Sequence, residues 1–101
     1  MSSRFVLSTP ASDDLEGILS YVLEESGAQR AQHVADHLRE AFHRLTHAPG
    51  LGHRREDLTS APVLFCAVWS YLVVYKPDTT PLEMVRVLHG ARDVGTILAD
   101  G

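Results

Sequence analysis

The run Leu82-Glu83-Met84-Val85-Arg86-Val87-Leu88-His89 is apolar on both sides of an extended chain. With side chains alternating, Leu82, Met84, Arg86 and Leu88 point one way and Glu83, Val85, Val87 and His89 the other, so the run belongs inside a sheet. Gly90 lets the backbone turn, and Asp93 is placed as N-cap acceptor of a short last helix through about Leu98. Arg86, His89 and Arg92 are thereby gathered at the carboxyl end of the strand, the first place to look for a site.

The rest of the chain falls into a helical block and a strand block. Phe5 to Ser8 reads as a short strand. Thr9 follows as N-cap with Pro10 in the first helical position, where its missing N–H costs nothing. Asp13, Asp14 and Glu16 fall in the first turns, where the helix dipole favours them. Leu15, Ile18, Leu19 and Val22 form one apolar stripe, and Gly27 ends the helix. A second helix from about Ala28 to His47 has the stripe Ala31, Val34, Ala35, Leu38, Ala41, Phe42 and Leu45, and Pro49-Gly50 stops it. Joined by so short a turn, the two helices pack as an antiparallel hairpin.

Residues 49–62 read as a loop anchored by Leu51 and Leu58. Its charges Arg54-Arg55-Glu56-Asp57 either form a solvated cluster or turn their arginines towards Arg86. Val63 to Trp69 and Tyr71 to Lys76 read as two strands with a tight turn near Ser70, and Pro77 to Pro81 as the turn into the last strand.

The architecture expected is α+β and two-layered: an N-terminal strand, an antiparallel αα-hairpin on a mainly antiparallel sheet, and a short C-terminal helix. A one-sided sheet alternates apolar with polar residues, and these strands do not. Leu64, Cys66 and Val68 oppose Phe65, Ala67 and Trp69, while Tyr71, Val73 and Tyr75 oppose Leu72 and Val74. The helical hairpin covers one face, and the other is left to the last helix with Ile97 and Leu98, to a second copy, or to another protein. That pattern points to a partner-binding role.

Composition narrows the classes further. A chain of 101 residues suits one domain spanning 1–101, and no apolar stretch reaches the roughly 18 residues that cross a bilayer. The net charge is −4 with one lysine, which argues against tight direct binding of nucleic acid. The single cysteine, Cys66, fits a reducing, cytoplasmic setting. His33 with His37 and His43 with His47 have metal-ligand spacing but fall opposite the apolar stripe, so they read as a solvated face that picks up nickel or zinc adventitiously. No metal and no cofactor is expected.

The run Arg86-Val87-Leu88-His89-Gly90-Ala91-Arg92-Asp93, preceded by a hairpin with Tyr75 and by two amphipathic helices, resembles the toxins of the RelE/ParE superfamily of toxin–antitoxin modules, most closely the ParE branch. The likeness extends from Phe5 to about Leu98. It implies a toxin that inhibits DNA gyrase, held with cleaved DNA, and a ParD-like antitoxin that neutralises it, as a homodimer or in a heterotetramer with the antitoxin. On this reading no residue is catalytic, and Trp69, Tyr71, Tyr75, Arg86, His89, Arg92, Ile97 and Leu98 are candidates for contact with target or partner. The alternative is a RelE-like ribosome-dependent messenger RNA endonuclease using Arg55, Arg86 and His89, though no lysine or tyrosine follows Lys76 to complete that set. A homologue that only binds antitoxin is the third.

Overall fold

The cap of the first helix ties the two layers together. In a computed structural model, which describes residues 4–90, strand β1 (Phe5–Leu7) leads through Ser8 into helix α1 (Thr9–Ser26). Ser8 is the N-cap, one residue earlier than the sequence suggests: its hydroxyl accepts the Ala11 N–H at 3.1 Å and donates to the Val85 carbonyl at 2.7 Å. Serine serves both ends because its hydroxyl is at once donor and acceptor. Gly27, at φ +91°, closes α1 and opens α2 (Ala28–His47), a conformation that only glycine adopts without strain. A 3-10 turn, Pro49–Leu51, then breaks away from α2.

Strands β2 (Leu64–Val68), β3 (Tyr71–Lys76) and β4 (Leu82–His89) complete a four-stranded sheet in the order β1-β4-β3-β2. β1 runs parallel to β4 and the other neighbours are antiparallel. The α+β, mainly antiparallel architecture expected from the sequence is the one observed. The outer edge of β2 is not bare, because His53 and Phe65 exchange two backbone hydrogen bonds of 2.9 and 2.8 Å.

Simple alternation fails in β4. Tyr75 pairs with Met84 and Val74 with Arg86, so Val85 is an extra residue and the strand carries a bulge. Past it the parity flips. Val87 joins Leu82 and Met84 in the core under the helices, while Leu88 goes to the opposite face, where the plain alternation had placed Met84 and Leu88 together. β1 stops at Leu7, so β4 beyond Met84 has no strand on that side among the described residues. The Val85 carbonyl is taken by Ser8 and the Val87 N–H by Asp14, at 3.1 Å.

Both sheet faces are apolar, as the strands indicated. Val34, Leu38, Ala41, Phe42 and Leu45 of α2 and Ala11 and Val22 of α1 pack on Val73, Tyr75 and Met84. On the far face Val63, Phe65, Val74 and Leu88 form a second cluster, and Leu58 from the loop before β2 packs against it. That face is therefore partly closed by the chain's own loop, a cover the sequence reading assigned elsewhere. The expected last helix, with Asp93, Ile97 and Leu98, lies outside the described residues, as does Arg92. No described helix is long and apolar enough to cross a membrane.

Candidate functional site

Arg86 leaves β4 towards α1, where Asp14 waits one and a half turns into the helix. Its Nε and one terminal nitrogen donate to the two carboxylate oxygens at 2.7 and 2.9 Å, a planar two-bond fork. The side chains are only 20% and 16% exposed, and the carboxylate of Asp14 raises the pKa of Arg86 above its ordinary value, chiefly through these hydrogen bonds. Because Asp14 also holds the Val87 N–H, one carboxylate fixes both the arginine and the strand beside the bulge. In the sequence Asp14 reads as one more acid of the first turns, and the structure places it beyond the first turn of α1. Nothing local marks it as the partner of a residue 72 positions away.

Beside this pair a groove of about 660 Å3 opens between α1 and the end of β4. Gly17, Ile18 and Tyr21 line it on the helix side and Tyr71, Val87 and His89 on the sheet side. Tyr71 and His89 are register partners, and their rings meet edge-on with centres 5.6 Å apart. Tyr21, which the sequence reading did not single out, is 66% exposed. Its position on α1 next to the stripe residue Val22 hid it among the polar face.

Trp69 stands at the tip of the β2–β3 hairpin, in a two-residue loop with Ser70. Its φ is +56°, a left-handed conformation that a bulky residue rarely adopts. The indole is 50% exposed, lies 4.0 Å from the ring of His37 on α2, and has the guanidinium carbon of Arg30 at 5.6 Å. Glycine or asparagine fills such a loop without strain. The tryptophan is held there at a cost, which is the usual mark of a functional position.

Tyr75, expected among the partner-binding residues, is fully buried instead. Its hydroxyl donates to the Pro49 carbonyl at 2.6 Å and accepts the Gly52 N–H at 2.9 Å, pinning the turn after α2 onto the sheet. Burial raises the pKa of the phenol. Gly52 has to be a glycine here, since a Cβ would come within 2.6 Å of the Tyr75 hydroxyl and 2.9 Å of the Phe65 carbonyl.

Arg54 and Arg55 do not join Arg86. They pair with Glu56 at 3.6 Å and with Asp57 at 2.9 Å, in the exposed loop whose Leu58 packs on the far face of the sheet. Arg86 and His89 both line the α1–β4 groove, and Arg55 is not among the residues that line it. Cys66 is half-buried, and burial raises its thiol pKa.

Residues 5–94 match the family model described as the ParE toxin of the type II toxin–antitoxin system parDE. The chain belongs to the ParE toxin family. It is 28% identical over 95 residues to Toxin ParE3 of Caulobacter vibrioides, covering 94% of each chain. The fold is also that of a chain from the chromosomal ParDE toxin–antitoxin system of P. aeruginosa, with a TM-score of 0.72 over 86% of this chain and 95% of the other at 15% identity. The ParE-like resemblance carried by residues 86–93 is thereby upheld across nearly the whole ParE domain. Within this ParE fold, the Asp14–Arg86 pair, the α1–β4 groove and the Trp69 tip are the features of the described residues that merit functional weight.

Proposed function

We propose that the protein is the toxin of a parDE-type module and acts by binding: it holds DNA gyrase with cleaved DNA so that replication stops, and a ParD-like antitoxin neutralises it by covering apolar surface of the helices and sheet. The observation that carries this reading is the state of the arginines. A nuclease working through the ribose 2′-hydroxyl needs an acid, a base and uncommitted positive charge at the phosphorane-like state. Of the three residues it would use, Arg86 and Arg55 already have their charge met by Asp14 and Asp57. The ParE family match and the net charge of −4 support the same reading. Trp69 and Tyr71, at the hairpin tip, and Tyr21 and His89, along the groove, supply the contact surface.

The test is supercoiling of relaxed plasmid by purified gyrase with increasing amounts of the protein. Loss of supercoiling with linear plasmid accumulating is the expected result. Normal supercoiling at a large excess of folded protein, together with cut messenger RNA on translating ribosomes, would replace this reading with the endonuclease.

A further inference from the structure

The histidines of α2 are better prepared than their spacing alone reveals. His37 Nδ1 lies 3.0 Å from the His33 carbonyl oxygen. A carbonyl only accepts, so this bond requires the proton on Nδ1 and leaves the Nε2 lone pair of neutral His37 available. Metal-binding imidazoles are held in this way, with one ring N–H on a backbone carbonyl and the other nitrogen on the ion. The ring of His33 lies one turn away, its centre 5.9 Å from that of His37. Two imidazoles sharing one ion through bonds of about 2.0–2.1 Å have ring centres about 5 Å apart. Rotation of the exposed His33 side chain closes that difference, while His37 is steadied by the indole of Trp69 at 4.0 Å.

We propose that His33 and His37 form a two-histidine site for a divalent transition-metal ion of the imidazole-preferring class, nickel, copper or zinc, bound through the two Nε2 atoms with water completing its shell. The inference is independent of the toxin reading. The same helix supplies an internal control. His47 Nδ1 is likewise 3.0 Å from the His43 carbonyl, but the His43 ring packs edge-on against Phe5 with centres 5.2 Å apart. That ring is committed to β1, so the second pair is the weaker chelator.

Trp69 is the only tryptophan of the chain and touches the proposed ligand, so its fluorescence reports the site directly. Untagged protein is titrated with nickel chloride and with copper chloride while Trp69 emission is followed. Saturable loss of most of the emission, reversed by a chelator, is expected. His33→Ala and His37→Ala should each raise the metal concentration at half-loss about tenfold or more, and His43→Ala and His47→Ala should leave it unchanged. Because His37→Ala also alters the surroundings of the indole, calorimetry with zinc chloride provides a second readout, in which His33→Ala should remove the tighter binding heat. Quenching that does not saturate, that survives His33→Ala, or that disappears in His43→Ala overturns the proposal.

Discussion

At Arg86, a charged side chain only 20% exposed meets both oxygens of Asp14, and the same carboxylate takes the next backbone N–H. At Trp69, an apolar side chain 50% exposed hangs from a left-handed backbone and rests on His37 and Arg30 of α2. The charged residue has been given a half-buried position with its charge met by a two-bond fork, and the large apolar residue a strained, half-exposed position. Folding alone favours the first arrangement and not the second. Arg86 is therefore understood as a strut that fixes the bulge of β4 against α1, and Trp69 as surface kept for something outside the chain.

Substitutions on the two sides should move stability in opposite directions. The largest effect is expected for Asp14→Ala, which strands the Arg86 guanidinium and the Val87 N–H. A fully buried pair broken in this way costs about 3–5 kcal/mol; partial exposure reduces this to about 2–3 kcal/mol, a fall of roughly 10–15 °C in thermal midpoint. A calorimetric midpoint within a degree or two of the parent would show that the fork is ornamental.

Tyr75→Phe comes next, because it removes a hydroxyl that serves Pro49 and Gly52 together, at a cost of about 1–2 kcal/mol by chemical denaturation. Its pH dependence has a definite sign. The folded state raises the pKa of this phenol and so favours its protonated form. The unfolded chain then loses the proton first, so stability is intact below the ordinary tyrosine range near about 10 and declines as pH rises through it. The phenylalanine variant should lack the part of the alkaline decline that Tyr75 contributes.

Trp69→Asn should act in the other direction and more weakly. Asparagine accepts a positive φ, so relief of strain, about 1 kcal/mol, offsets the lost stack on His37, and the midpoint should hold or rise slightly. Arg55→Ala should do least: its ion pair with Asp57 is solvated, and no change in midpoint is expected in physiological salt.

The sequence exposed one side of this comparison more readily than the other. Helical stripes such as Val34, Leu38, Ala41 and Leu45 and the doubly apolar strands are periodic, and periodicity survives folding, so both helices, all four strands and the two-faced sheet were legible. The bulge was not, since one extra residue at Val85 leaves the local pattern plausible while reversing the side to which Val87 and Leu88 point. Asp14 escaped for a different reason: its task is set by a residue on another element, and an acid near the start of a helix already has a sufficient local explanation. Tyr75 was misplaced at the surface because an aromatic residue in a strand looks the same whether its hydroxyl meets solvent or a buried turn. Trp69 stands out in the sequence as an aromatic residue on one face of a doubly apolar strand, while its place in the loop beyond β2 and its positive φ become visible only in three dimensions.

The most direct test is the amount of Trp69→Asn protein needed to halve gyrase supercoiling, set beside that of the parent chain and with both thermal midpoints known. Inhibition by the parent, a variant at least as stable, and about a 30-fold higher requirement are expected, the loss typical of an aromatic hot spot. Undiminished inhibition by the variant would contradict this, and the strained tip would then be no part of the contact.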